Sequence, residues 1–232
     1  MRYSNRQIRA LFLVPLSMIL MASLASCHKS QGESVYLGHN YFGHTPGLWV
    51  VYDVDSTVYD DFLGEVFHYQ YQVLETYTDY FIDNQGDSVL RIERFYRLQP
   101  TDTWQIKNVW SSKLLISRAV KTEENRSFIK LAFPVKRNQN WNGNALNTLP
   151  AQTYTITQAH IPEQFGELLF DSTATVLQKD FETLIGLDLQ YEVYATQVGM
   201  VKKKFVELTK EIDGTIVRGV DYTYIINSYG YR

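Results

Sequence analysis

From residue 65 to residue 98 the chain keeps a period of two on both sides of a single turn. Phe67, Tyr69, Tyr71, Val73 and Tyr77 fall on one face of an extended backbone, with His68, Gln70 and Gln72 on the other. Asp83-Asn84-Gln85-Gly86-Asp87 interrupts the run with turn-forming residues. Beyond it Leu90, Ile92, Tyr96 and Leu98 share a face opposite Arg91, Glu93 and Arg97. Helical spacing would scatter these residues around a cylinder. Alternation on both arms predicts one long β-hairpin.

The same reading extends along most of the chain. Residues 49–59 are rich in Val and Tyr, and Trp104, Ile106 and Trp110 are in phase. Residues 114–121 and 128–135 flank Glu123-Glu124-Asn125-Arg126 as a second hairpin. Residues 153–160, 172–178 and 189–195 are further strand candidates. Residues 200–210 and 216–228 flank Asp213-Gly214, a strong short hairpin signal. Short helices are expected at 162–170, where Pro162 stands near the start, and at 181–187. The 17 Tyr and 12 Phe against 6 Pro favour strands over disorder. The expected fold is all-β: one domain of long antiparallel strands forming a curved half-barrel, a barrel or a sandwich, with one or two short helices. Strands longer than the usual five or six residues favour strong curvature over a compact immunoglobulin-type sandwich.

The N-terminus is an address. Arg2, Arg6 and Arg9 precede an apolar run over residues 10–22, and Leu24-Ala25-Ser26-Cys27 forms a lipobox. This predicts a leader over 1–26, acylation (palmitate) at Cys27, a tether over 27–40 and a β domain over 41–232. His28 rather than Asp follows the cysteine, and residues 28–34 lack an acidic cluster. The expected location is the outer membrane, facing the periplasm. Cys27 is the chain's single cysteine, so disulfides, thiolate metal sites and a cysteine nucleophile are excluded. With 25 acidic residues and 22 basic ones, three of the latter in the leader, the mature chain carries a net −6, which argues against a nucleic-acid partner.

No segment reaches the standard of a catalytic motif. Asp53, Asp55, Asp60 and Asp61 are the densest carboxylates, but Val58 and Gly64 stand at the sixth and twelfth positions of a would-be calcium loop. They read as a solvated edge and a turn. His28, His39, His44, His68 and His160 show no metal-binding spacing. Ser56 beside Asp55 has no nucleophile-elbow context. Lys202-Lys203-Lys204 reads as a solvated face or an edge guard, since consecutive strand residues alternate sides. The aromatics are the better clue. Tyr69 and Tyr71 share one face, as do Tyr222 and Tyr224, and with Trp141 they are the candidate lining of a groove for an apolar or amphiphilic ligand. No cofactor or metal is implied. The expected function is a non-catalytic, lipid-anchored envelope protein binding an amphiphilic ligand or a protein partner. The alternative is an accessory subunit of an envelope assembly, and third a glycoside-acting enzyme, which needs two carboxylates facing each other at about 5–10 Å.

Three segments carry a family resemblance. The first is Phe42, Pro46, Gly47, Trp49, Tyr52, Asp55-Ser56 and Tyr59-Asp60-Asp61-Phe62. The second is Phe133-Pro134-Val135 leading to Trp141-Asn142-Gly143-Asn144, and the third is Tyr194-Ala195-Thr196-Gln197-Val198-Gly199-Met200-Val201-Lys202-Lys203. Together they resemble an uncharacterised lipoprotein family common in Bacteroidetes. The last segment is also similar to a strand of DUF3108-like exported β-proteins. Gly43 stands where the pattern has Pro, and Asn138 near where it has Gly. The resemblance implies a curved antiparallel sheet and transfers no functional residue.

Overall fold

A computed structural model describes residues 36–232. The leader and Cys27, the expected lipidation site, lie outside the described residues. Among those residues there are twelve strands: β1 Leu48–Asp60, β2 Glu65–Ile82, β3 Ser88–Arg97, β4 Gln105–Leu114, β5 Arg118–Glu123, β6 Arg126–Ala132, β7 Asn140–Asn142, β8 Thr153–Phe165, β9 Leu168–Thr183, β10 Gly186–Ala195, β11 Gly199–Lys210 and β12 Ile216–Tyr231. They form one antiparallel sheet in the order β6-β5-β4-β3-β2-β1-β12-β11-β10-β9-β8-β7. The first and last strands pair over their length, from Leu48 opposite Tyr231 to Tyr59 opposite Gly219. The sheet curls until its edges meet. Ile129 of β6 donates its N–H to the Gly143 carbonyl beyond β7 at 2.9 Å. The Trp141 indole N–H of β7 donates to the Ile129 carbonyl at 2.7 Å. The result is a nearly closed barrel.

The two expected helices are absent, and the reason is local. Residues 162–170 span the end of β8, a turn at Gly166 (φ 57°) and the start of β9. Pro162 falls in a register jump, between Ile161 opposite Thr173 and Glu163 opposite Phe170. A bulge removes the need for a ladder N–H, so proline is tolerated there. Residues 181–187 likewise span a strand end, a tip at Leu184 and Ile185, and the next strand. Two strands joined by a turn shift parity, and this mimics helical spacing. Helical backbone among the described residues includes one 3-10 turn at His39–Tyr41.

Apolar side chains on the strands gather into two clusters. One holds Val50, Tyr52, Val54, Val73, Tyr77, Leu90, Ile92 and Ile226, among others. The second holds Tyr41, Phe42, Leu131, Phe133, Val135, Tyr154, Ile156 and Tyr194. Packing begins earlier than residue 41: Leu37 touches the second cluster, and its carbonyl accepts the Val135 N–H at 2.9 Å. The compact unit runs Leu37–Arg232.

Asn138 and Gly43 both stand where the backbone is constrained. Asn138 sits at φ 65°, a left-handed backbone that Asn tolerates better than most residues. Gly43 is pressed against the turn between β10 and β11, where a Cβ would stand 2.4 Å from the Val198 carbonyl oxygen. Gly43→Ala is therefore expected to lose about 1–3 kcal/mol of unfolding free energy. Urea denaturation of the variant checks the expectation, and an unfolding free energy equal to that of the wild type would contradict it.

Candidate functional site

The register of the sheet assembles a row of charge inside the barrel. Glu75 of β2 lies opposite Arg94 of β3, and Arg94 lies opposite Asn108 of β4. Facing residues stand within side-chain reach. The Arg94 Nε accordingly donates to Glu75 Oε1 at 2.9 Å and its Nη1 to Asn108 Oδ1 at 3.2 Å. Lys121 of β5 reaches the other Glu75 oxygen at 2.9 Å, and the Tyr77 hydroxyl donates to it at 3.3 Å.

A second row stands on the other half of the sheet. Glu192 of β10 lies opposite Lys203 of β11, and Lys203 lies opposite Tyr224 of β12. The Lys203 Nζ is 3.5 Å from Glu192 Oε1. Lys130 of β6 is the extra residue of a β-bulge: Leu131 pairs with Ala119 and Ile129 with Val120, leaving Lys130 between. The bulge turns Lys130 inward, where its Nζ lies 2.9 Å from both Glu123 of β5 and Glu192. The Tyr194 hydroxyl donates to the second Glu192 oxygen at 2.5 Å. The pattern Glu-x-Tyr thus recurs at Glu75-Glu192 level, each carboxylate held by two cations and by the tyrosine two residues on.

Glu75 and Glu192 are each only 1% exposed at the side chain. Burial alone would raise the Glu75 carboxyl, but Lys121 and Arg94 outweigh it and hold it at about 2. Burial opposes ionisation of Glu192 too, yet Lys130, Lys203 and the Tyr194 hydrogen bond keep it well below the ordinary range. Glu123 is lowered by Lys130 and Lys203 against the same penalty. Lys130 is raised, burial being overcome by Glu123 and Glu192, and Lys203 is raised by Glu123 against burial.

Between the two rows lies a cavity of about 410 Å³. Tyr71, Trp110, Tyr222 and Tyr224 line it alongside the charged groups, and exposed Lys107, Glu124 and Arg126 stand at its rim. Arg94 stacks on the Trp110 ring at 3.5 Å, and Tyr222 packs edge-on to Tyr224 at 5.7 Å.

Of the aromatics singled out from sequence, Tyr71, Tyr222 and Tyr224 border this cavity, and Tyr69 and Trp141 do not. Tyr69 is half exposed beyond it and stacks on Phe67 at 6.4 Å. Trp141 closes the seam and packs edge-on to Tyr154 at 6.0 Å. Lys202-Lys203-Lys204 is not on an edge: β11 is flanked by β10 and β12. Lys203 points inward, Lys204 pairs with Asp221, and Lys202 lies 5.5 Å from the Tyr191 ring centre. Asp53 accepts hydrogen bonds from Gln72 (2.7 Å) and Asn227 (2.9 Å), and Asp55 from Gln70 (2.9 Å), all on the outer face. Asp60 caps the turn at Phe62 and Leu63. His39 bonds the Ile116 carbonyl and His68 bonds Thr57. His160 bonds Tyr41 and the Val135 carbonyl, and His44 bonds Ser112. Among the described residues no group of three or more His, Cys, Asp or Glu is placed to hold a metal ion.

Sequence reasoning missed Glu75, Arg94, Lys121, Glu123, Lys130 and Glu192. One signal was present: Glu75 is in phase with Val73 and Tyr77, on a face that is otherwise apolar.

A scan against protein-family models found no match, and a search of curated proteins found none. Two solved structures are similar in fold. One is a protein from Bacteroides fragilis inferred to be exported, with a YmcC-like fold, at 7% identity and TM-score 0.38. The other is an inferred lipoprotein from Parabacteroides distasonis, at 11% identity and TM-score 0.31. Each alignment covers 82% of this chain and 98% of the other.

Removing a buried carboxylate strands its cations. Glu75→Gln leaves Arg94 and Lys121 without their partner, so urea unfolding at pH 7 is expected to show a loss of about 3–5 kcal/mol. The folded value near 2 lies below the ordinary 4.5, so the unfolded chain takes up the proton first as pH falls. This contribution is fully present above pH 4.5 and is lost on going down to about 2. The Gln variant should show a shallower fall in stability across that window, with Glu123 and Glu192 supplying the remainder. Identical slopes would show that Glu75 does not carry the effect.

Proposed function

We propose that this chain is a lipid-anchored, non-catalytic protein of the bacterial cell envelope, held at the outer membrane facing the periplasm, which binds an amphiphilic ligand inside its barrel. The observation that carries the reading is the cavity of about 410 Å³, with aromatic rings on its wall and fixed charges within it. Such a mixture suits a molecule with an apolar part and a polar end. The lipobox and the resemblance to envelope lipoproteins support the address. The outer face bears Asp53, Asp55, Gln70, Gln72 and Asn227 in mutual hydrogen bonds, unlike the apolar band of a barrel that spans a membrane. The carboxylates favour binding over hydrolysis. Glu75, Glu123 and Glu192 are all held ionised by cations, whereas a glycosidase general acid needs a raised pKa.

One observation favours a second reading, docking to an envelope partner. Three hairpin tips at the same end of the barrel expose apolar side chains: Phe62 is 91% exposed, Leu184 74% and Ile212 79%. Leu37 and the 3-10 turn lie at the opposite end, beside Ile116 and Val135. Tips pointing away from the start of the folded domain suit a neighbour better than the anchoring bilayer.

The test is expression with the native leader and growth in radiolabelled palmitate. Label should enter the wild-type chain and not Cys27→Ser, and the variant should leave the membrane fraction. Native mass spectrometry of the gently extracted wild type should show an adduct of lipid mass that organic solvent releases. An unlabelled wild-type chain refutes the anchor; a chain that never carries an adduct refutes the ligand.

A further inference from the structure

The interior of this acidic protein is cationic. The described residues 36–232 carry more acids than bases, yet the cavity wall holds Arg94, Lys121, Lys130 and Lys203 against Glu75, Glu123 and Glu192. At the rim Lys107 and Arg126 stand against Glu124 alone. One positive charge inside, and another at the mouth, therefore have no protein counter-charge. An uncompensated charge in a poorly solvated interior is costly unless a counter-ion supplies the balance.

Hydrogen-bonding capacity points to the same place. An ammonium has three N–H donors. Lys130 divides its donors between Glu123 and Glu192 at 2.9 Å each. Lys121 has one bonded oxygen, on Glu75, and otherwise lies 5.0 Å from the Trp110 ring centre. Lys203 approaches Glu192 only at 3.5 Å and lies 5.9 Å from the Tyr222 ring centre. Both lysines thus reach the cavity with donors to spare, one from each charged row. Trp110, Tyr222 and Tyr224 form the wall beside them.

We propose that Lys121 and Lys203 receive an oxyanion, the phosphate or carboxylate end of an amphiphile, with its apolar part against Trp110, Tyr222 and Tyr224. The site rests on the amphiphile-binding reading given above and deepens it. Glu75 and Glu192 are held below the ordinary carboxylate range by their cations, and Lys130 and Lys203 above the ordinary ammonium range by their carboxylates, so these four charges are fixed near neutral pH.

The test is calorimetric titration of the full mature chain carrying Cys27→Ser, which needs no detergent. The probes are dodecyl phosphate, dodecyl maltoside, dodecyltrimethylammonium and inorganic phosphate. Dodecyl phosphate should bind at least about tenfold more tightly than the neutral and cationic probes, the effect of one charge-assisted hydrogen bond. Lys121→Gln and Lys203→Gln should each weaken dodecyl phosphate about tenfold, and Lys203→Arg should restore it. Equal affinity for dodecyl maltoside and dodecyl phosphate overturns the oxyanion site while leaving amphiphile binding intact. Inorganic phosphate binding as tightly as dodecyl phosphate sustains the oxyanion site and overturns amphiphile binding. No binding by any probe overturns both. Should a Gln variant fail to fold by circular dichroism, the headgroup series on the otherwise unaltered chain decides the matter.

Discussion

A sheet built from hairpins between sequence neighbours ends in two edges, and an open edge invites pairing with other chains. Here the edges meet at Ile129 and at Ser127, whose carbonyl accepts from the Asn147 side-chain amide at 2.9 Å. Ile129 donates its N–H to Gly143 and accepts the Trp141 indole, so both of its backbone groups are spent across the seam. The adjacent residue, Lys130, is the bulged one, and it reaches through the interior to Glu192 on β10. Closure and the interior charge network are thus one feature, since the bulge beside the seam aims the lysine. The chain keeps the entropy cost of closure small, because the two edge strands are consecutive in sequence and the connection between them is short.

Stability alone does not explain the charges. A buried ion pair gains little over well-packed apolar side chains of the same size, because desolvation consumes most of the attraction. Val73, Tyr77, Leu90 and Ile92 already fill the neighbouring positions on β2 and β3 with apolar atoms. Four cations and three carboxylates in one cavity therefore weigh against a purely structural role. Their arrangement is also costly to alter piecemeal. Glu75 and Glu192 are each shared between cations from different strands, so losing one member leaves others buried without a partner.

The strands were legible because alternation is a local property. The arms of β2 and β3, and the Asp213-Gly214 hairpin between β11 and β12, follow directly from period and turn chemistry. What alternation assigns is a face; it says nothing of height along the barrel. Tyr69 and Tyr71 share parity, but Tyr71 borders the cavity while Tyr69 lies on a stretch of β2 that runs past it. Three consecutive lysines must divide between two faces, yet which of them points inward is set by Glu192, eleven residues away and on another strand. Lys130 was less legible still, because its orientation comes from a bulge defined by pairing with β5. The false helices have the same origin: a turn inside an apolar stretch changes parity, and Pro162 conceals a strand by sitting in one of its register jumps.

The electrostatics of the interior are fixed rather than responsive. Glu75, Glu123 and Glu192 are all displaced downward, and Lys130, Lys203 and Arg94 upward, so their charges move away from the range in which proton exchange would occur near neutrality. His44, on the chain segment that enters the barrel beside Gly43, is pushed by burial down to about 4 and donates or accepts at Ser112 as a neutral ring. A proton-driven release mechanism would need the opposite arrangement, with a group poised between its two states. Rigid charges on a sheet whose backbone is tied on both sides are instead preorganised, and a preorganised site binds without first rearranging. The physical consequence is that the charges of Glu75, Glu123, Glu192, Lys130 and Lys203 hardly change with pH across the neutral range.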